Sequence, residues 1–292
     1  MTTHSATATG LVAVLLWSLL ALLTAASGTM PPFQLAAMTF LVGGLVGATG
    51  WVARARGTAV LRQRPLVWVL GIGGLFGYHA LYFAALRLAP PAEAGLICYL
   101  WPLLIVLFSA FLPGERLQGA QIVGALLGFA GVMVLVSGKG ALTLEGEHLL
   151  GYASAFAAAF VWAVYSVLSR RFGDVPTDAV AGFCLATAAL SALCHLAVET
   201  TIWPAGPMQW LAVLALGLGP VGAAFYVWDV GVKRGDIRFL GVASYAAPVL
   251  STLILVATGY AEPTLALGIA CGLIVVGALV AALAPPNSRR RS

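Results

Sequence analysis

Gly95-Leu96-Ile97-Cys98-Tyr99-Leu100-Trp101-Pro102-Leu103-Leu104 and Gly241-Val242-Ala243-Ser244-Tyr245-Ala246-Ala247-Pro248-Val249-Leu250 share the pattern G-x-x-x-Y-x-x-P-x-L. They lie 146 residues apart, which is half of the 292-residue chain. The same ungapped offset sets Arg87 against Lys233 and Gly131 against Gly277. The chain therefore reads as two copies of one unit. Duplicated membrane units mark transporters, with the substrate site where the copies meet.

The composition places both copies in a membrane. Sixty-one per cent of residues are hydrophobic, 9% are charged, and the mean hydropathy is +0.99. A spanning helix needs roughly 20 mostly apolar residues, and the runs here are continuous. A β-barrel would instead show alternating segments of about ten. The first run, Gly10 to Ala26, lacks a Lys or Arg flank and is followed by similar runs, so it reads as a retained helix and not a signal peptide. Cys98, Cys184, Cys194 and Cys271 all fall in apolar runs without metal-ligand spacing and read as small buried hydrophobes. The net charge of +5 gathers at helix ends, so it speaks for orientation and not for nucleic acid.

Ten spans are expected, at roughly 7–26, 32–53, 66–87, 91–112, 118–137, 149–169, 178–197, 207–230, 238–258 and 263–284. The expected fold is thus an all-α membrane protein of two five-helix repeats, 1–137 and 149–284. A linker, 138–148, joins them, and a basic tail, 285–292, follows. With the N-terminus cytoplasmic, 13 of the 15 basic residues fall inside, leaving only Arg87 and Lys139 outside. That bias sets both termini in the cytoplasm. Five helices per copy then turn the second copy upside down, and inverted repeats suit alternating access. Glycine pairs at helical spacing (Gly43 and Gly47, Gly73 and Gly77, Gly124 and Gly128, Gly268 and Gly272) are expected to let backbones approach.

The candidate chemistry clusters at mid-depth. Pro102 and Pro248 are expected to kink spans four and nine and leave one or two carbonyls unpaired, since a mid-helix proline lacks its N–H and clashes with the preceding turn. Their matched positions point to hinges for gating. Around the same depth lie Trp17, Tyr78, His79, Tyr82, Tyr99, Trp101, Trp162, Ser244 and Tyr245. Interfacial belts account for Trp51, Trp68, Trp203 and Trp210 at span ends. They do not account for the deeper rings, which fit a cavity lined by aromatic faces and a few hydroxyls. His79 stands out because an ionisable group within a span usually faces a cavity or a partner. His195, near the end of span seven, reads as structural. No carboxylate sits at mid-depth; Glu93 and Asp229 lie near span ends. A facilitator or exchanger fits better than a proton pump with a buried acid relay. No Walker A, H-E-x-x-H or G-x-S-x-G pattern is present, so no catalytic residue, metal or cofactor is expected.

With these motifs in place, the chain resembles the ten-helix EamA branch of the drug/metabolite transporter superfamily. The residues that carry the likeness are Gly95 to Pro102 and Gly241 to Pro248, together with the glycine-rich Gly124 to Gly131 and Gly268 to Gly272. The resemblance implies two inverted five-helix repeats. Tyr78-His79-x-x-Tyr82 and Tyr99-x-Trp101-Pro102 further resemble the branch's exporters of aromatic amino acids. The expected partners are the lipid bilayer and a small amphipathic substrate, with aromatic amino acids leading. The expected location is the cell inner membrane. A lipophilic cation, drug or other metabolite stands as the alternative substrate, and a channel or scramblase-like protein as the alternative activity.

Overall fold

The computed structural model describes residues 1–53, 57–114, 117–138 and 145–283. Ten helices in it are long and apolar enough to cross a membrane: α1 (Thr3–Ala26), α2 (Pro32–Trp51), α3 (Pro65–Leu88), α4 (Pro91–Phe111), α5 (Gly119–Ser137), α6 (Gly146–Arg171), α7 (Thr177–Val198), α8 (Pro207–Arg234), α9 (Ile237–Ala257) and α10 (Leu265–Ala282). The described residues contain no strand. This is an all-helical, multi-pass inner-membrane protein. Arg54, Arg56, Arg116, Lys139 and Arg289 to Arg291 lie outside the described residues, as do most of the 138–148 linker and the basic tail.

Several starts are chemically marked. Pro65, Pro91 and Pro207 stand in first turns, where the missing N–H costs nothing. The Thr2 hydroxyl accepts from the Ser5 N–H, and the Thr264 hydroxyl accepts from the Leu267 N–H.

The pattern of which helix packs on which is the same when the two halves are exchanged. α2 packs on α7, α4 on α9 and α5 on α10, each with its counterpart. α1 packs on α8 while α3 packs on α6, which is the same pairing with the halves swapped. The irregularities repeat as well. α3 carries a π turn at Gly73–Gly77 and α8 carries one at Gly219–Ala223, again 146 residues apart.

The prolines of α4 and α9 do not bend continuous helices. Each helix stops before its proline and restarts around it. In α4 the halves are Pro91–Cys98 and Trp101–Phe108; in α9 they are Ile237–Ala243 and Ala246–Ala257. Pro102 and Pro248 then stand in the first turn of the second half, where a proline is tolerated. At the α4 break the Leu103 N–H donates to the Tyr245 hydroxyl, 3.2 Å away across the halves.

Small residues make the close crossings. A Cβ on Gly43 would meet the Gly222 backbone at 2.8 Å, and Gly124 and Gly277 approach each other backbone to backbone. The expectation fails for Gly73, Gly268 and Gly272, beside which no described atom lies within 4 Å, and for Gly77, whose nearest neighbour is Val161 Cγ1 at 3.9 Å; Gly47 and Gly128 make room for the Tyr226 and Tyr245 rings and not for a backbone. The tryptophan belt also divides. Trp203 and Trp210 are exposed and stack at 6.2 Å. Trp51 is buried with its Nε1–H donating to the Asp178 carbonyl, and Trp68 packs edge-on against Phe183. Those two tie their helices to α7.

Candidate functional site

A cavity of about 810 Å³ lies between the halves. Its floor is indole. Trp17 sits where α1 breaks, since Thr3–Trp17 and Leu20–Ala26 are separate helical pieces. Its ring is edge-on to Trp101 (6.1 Å) and Trp162 (5.8 Å) and tilted against Trp228 (5.1 Å). Trp101 and Trp162 meet each other edge-on at 6.3 Å. Such geometries suit ring quadrupoles. Trp228 lies beneath, fully buried, with its Nε1–H donating to Ser166 Oγ.

The π turns explain how the rings are held. A π turn interrupts the regular ladder, and a carbonyl in it can use a lone pair for a side-chain donor. In α8 the Pro220 carbonyl accepts from Trp17 Nε1–H at 3.2 Å. In α3 the Leu75 carbonyl lies 2.7 Å from His79 Nδ1. A carbonyl only accepts, so Nδ1 carries the proton there. His79 is also wedged edge-on between Phe40 (5.0 Å) and Phe83 (5.9 Å).

Above the floor, Tyr78 and Tyr82 stack in parallel at 6.0 Å, and Tyr78 leans on Trp162 at 5.5 Å. Cys98 Sγ lies 3.6 Å from the Tyr78 hydroxyl. Gly95 and Tyr99 of α4 face the cavity, as do Ala247 and Ser251 of α9. Among the described residues, no atom lies near the place a Cβ on Gly95 would take, and no hydrogen bond engages the Ser251 hydroxyl. Among the described residues, no Asp, Glu, Lys or Arg lines the cavity. The lining continues through Thr24, Gly28, Met30, Pro32 and Leu86 towards the α1–α2 connection.

The α6–α7 end is shut. Lys233 Nζ lies 2.8 Å from Asp229 Oδ1, and both side chains are nearly sealed from solvent, at 6% and 3% exposure. Lys233 also donates to the Val175 carbonyl (2.9 Å), and Thr177 Oγ1 donates to Asp229 Oδ2 (2.7 Å). Arg170 binds the Val232 and Gly235 carbonyls. At the opposite end Glu199 accepts from the Phe33 and Gln34 N–H groups, with His195 Nδ1 at 2.9 Å and Arg87 at 3.5 Å. Glu93 is buried at the start of α4.

Seven of the nine residues expected at the site line this cavity: Trp17, Tyr78, His79, Tyr82, Tyr99, Trp101 and Trp162. Ser244 and Tyr245 do not. Both are fully buried; Ser244 Oγ donates to the Leu240 carbonyl, and Tyr245 packs against Gly128 and Phe129. They turn away because Gly128 leaves a space that the Tyr245 ring fills. Phe40, Phe225, Thr24 and Ser251 line the cavity and were not expected from the sequence. The 146-residue offset does reach Phe225, which is the counterpart of His79. Nothing local marks Thr24 or Ser251 among the other hydroxyls of the spans.

The profile of the EamA-like transporter family matches residues 4–137 and again 149–283. The chain is 63% identical over 284 residues to the aromatic amino acid exporter YddG of Ancylobacter novellus, covering 97% of this chain and 99% of that one. It is 29% identical to the aromatic amino acid exporter YddG of Salmonella typhimurium, over 86% of this chain and 88% of the relative. A probable amino-acid metabolite efflux pump of Escherichia coli is 31% identical over 55% of this chain and 52% of its own length. A solved crystal structure with 63% identity superposes at a TM-score of 0.91, covering 96% of this chain and 98% of the other.

Proposed function

This chain belongs to the EamA-like transporter family, and from that premise we propose that it exports aromatic and related amphipathic amino acids across the inner membrane by alternating access. The cavity carries the reading: an indole floor beneath a ring of hydroxyls, lined by no Asp, Glu, Lys or Arg among the described residues. An aromatic side chain seats on Trp17, Trp101 and Trp162. Burying 150–250 Å² of ring at about 25 cal/mol per Å² contributes roughly 4–6 kcal/mol before ordering costs. The zwitterion lies one to two turns above, against Tyr82, Tyr99, Thr24 and Ser251. Hydroxyls in place of charges make recognition weak and broad, which suits an exporter that must release its cargo. A dedicated cation carrier would want a carboxylate in the wall, and the described lining has none.

Both termini are read as cytoplasmic, with repeats at 1–137 and 149–284. The cavity then faces outward, and the Asp229–Lys233 end is the closed inner mouth. Pro102 and Pro248 mark the hinges about which α4 and α9 change shape. The support is the Lys/Arg bias and the match of packing under exchange of the halves.

The test is counterflow of labelled phenylalanine in proteoliposomes, with and without a pH gradient, competed by other amino acids and by lipophilic cations. Saturable exchange indifferent to the gradient is expected, with tryptophan and tyrosine competing best. Absence of exchange by correctly inserted protein, or competition only by cations, removes the aromatic amino-acid reading.

A further inference from the structure

The helix α8 follows α2 only part of the way. Its first part, Pro207–Leu218 and the Gly219–Ala223 turn, packs on α2; from Ala224 to Arg234 it packs mainly on α1, α6, α7 and α9, and Tyr226 reaches back, donating to the Gly43 carbonyl at 3.0 Å. Beyond the Gly43–Gly222 crossing a crevice of about 800 Å³ opens between the two helices. Its back wall is the α6–α7 connection, from Gly173 to Asp178. Val46 on its rim is 52% exposed, so the crevice opens on the outer surface of the helix bundle. Walls lined by Val46, Val227 and Val230 lose their dispersion contacts if nothing lies against them.

The two ends of the crevice differ. Gly217 and Leu218 lie at mid-helix, whereas Asp174 and Arg234 lie at the α6–α7 end. From Gly217 to Arg234 the helix rises about 25 Å at 1.5 Å per residue, enough to run from headgroup level past the bilayer midplane. Arg234 is exposed and has no ion-pair or hydrogen-bond partner among the described residues. Asp174 supplies the opposite charge on the same rim, 3.9 Å from Arg64. Thr49, Tyr226 and Thr177 share the walls with the valines, and a cation with no partner among the described residues and an anion at one end of this mixed groove complement a headgroup that holds both a phosphate and an ammonium.

We propose that this crevice binds a phospholipid with a primary-amine headgroup. Its acyl chain lies along Val46 and Val230, its phosphate meets Arg234, and its ammonium meets Asp174. The site has a consequence for the closed mouth. Val175 and Thr177 line the crevice and also hold Lys233 and Asp229. A seated lipid therefore steadies the connection that shuts the α6–α7 end. That the leaflet concerned is cytoplasmic rests on the orientation proposed above; the site itself does not.

Native mass spectrometry of the full chain, titrated with phosphatidylethanolamine, phosphatidylcholine and phosphatidylglycerol of matched acyl chains, tests this. Phosphatidylethanolamine is expected to be retained best. Arg234→Ala should weaken its retention about fivefold, the equivalent of ~1 kcal/mol for one basic side chain at a lipid headgroup. Asp174→Asn should erase the preference over phosphatidylcholine. Val230→Trp, which fills the crevice and leaves both charges, should displace the lipid. Equal retention of the three lipids, a preference for phosphatidylglycerol, or retention unchanged in both Arg234→Ala and Val230→Trp overturns the proposal. The readout is lipid retention and not transport, so it fails or succeeds independently of the exported substrate.

Discussion

Two serines one helical stretch apart separate the cavity wall from the protein core. Ser251 faces the cavity with its hydroxyl unengaged, whereas Ser244 is fully buried with its hydroxyl committed to Leu240. A hydrogen bond to a charged group contributes about 1.5–3 kcal/mol. Ser251→Ala should therefore raise the half-saturating phenylalanine concentration in counterflow by roughly tenfold or more. Ser244→Ala should leave it unchanged; an equal effect from both would remove Ser251 from the zwitterion's contacts. At the floor, Trp101→Ala deletes one ring face beneath the substrate, and a ring pair adds about 0.5–1.5 kcal/mol beyond burial. Half-saturation for phenylalanine should rise by roughly 2- to 13-fold, with less change for leucine. A matching loss for leucine would mean that Trp101 only shapes the cavity. The sequence alone could not sort Ser244 from Ser251. Spans four and nine are apolar on nearly every side, so no amphipathic stripe tells which face meets water. The burial of Tyr245 depends on Gly128 in another helix, 117 positions away in the chain.

At the scale of the element, the broken helices and π turns are what make an apolar bundle hold polar geometry. A π turn in α8 supplies a carbonyl that fixes the Trp17 ring, and the break in α4 leaves an N–H that Tyr245 satisfies. An unsatisfied buried donor costs about 1–3 kcal/mol. Tyr245→Phe keeps the ring against Gly128 but strands the Leu103 N–H, so it should lower the thermal midpoint of the purified protein by several degrees. An unchanged midpoint would show that the α4 break is satisfied some other way. These elements were legible to different degrees. The break before each proline follows from the repeated G-x-x-x-Y-x-x-P-x-L stretch, because proline's place in a first turn is a local property. The π turns were not visible, because a helix with one extra residue per turn looks the same in composition. Only their 146-residue spacing, once seen, identifies them as inherited by both copies.

For the whole molecule, one mouth is shut and the other open, although the packing maps onto itself when the halves are exchanged. The offset pairs Lys233 with Arg87 and Asp229 with Phe83. Lys233 is sealed and bound to the α6–α7 connection, while the Arg87 side chain remains 52% exposed beside Glu199. The closed mouth is therefore held by bonds its counterpart does not make, and the alternating access proposed above requires breaking them. Removing Lys233 is a poor probe, since it leaves Asp229 as an uncompensated buried charge, a loss of about 3–5 kcal/mol that threatens the fold itself. Thr177→Val is the better one. It keeps the ion pair intact and deletes only the 2.7 Å bond from the connection to Asp229. Once the mouth opens, water satisfies that carboxylate oxygen, so the substitution penalises the closed state alone. At about 1.5–3 kcal/mol for a bond to a charged group, the ratio of inward- to outward-open molecules should rise at least about tenfold. A cysteine placed at Ala247, in a chain freed of its four native cysteines, reports this through an impermeant thiol reagent added to either side of the membrane. In the orientation proposed above, labelling from the cytoplasmic side should rise and labelling from the outside should fall. Unchanged labelling from both sides, in protein that still performs counterflow, would mean that the Asp229 network braces α8 and does not govern which mouth is open.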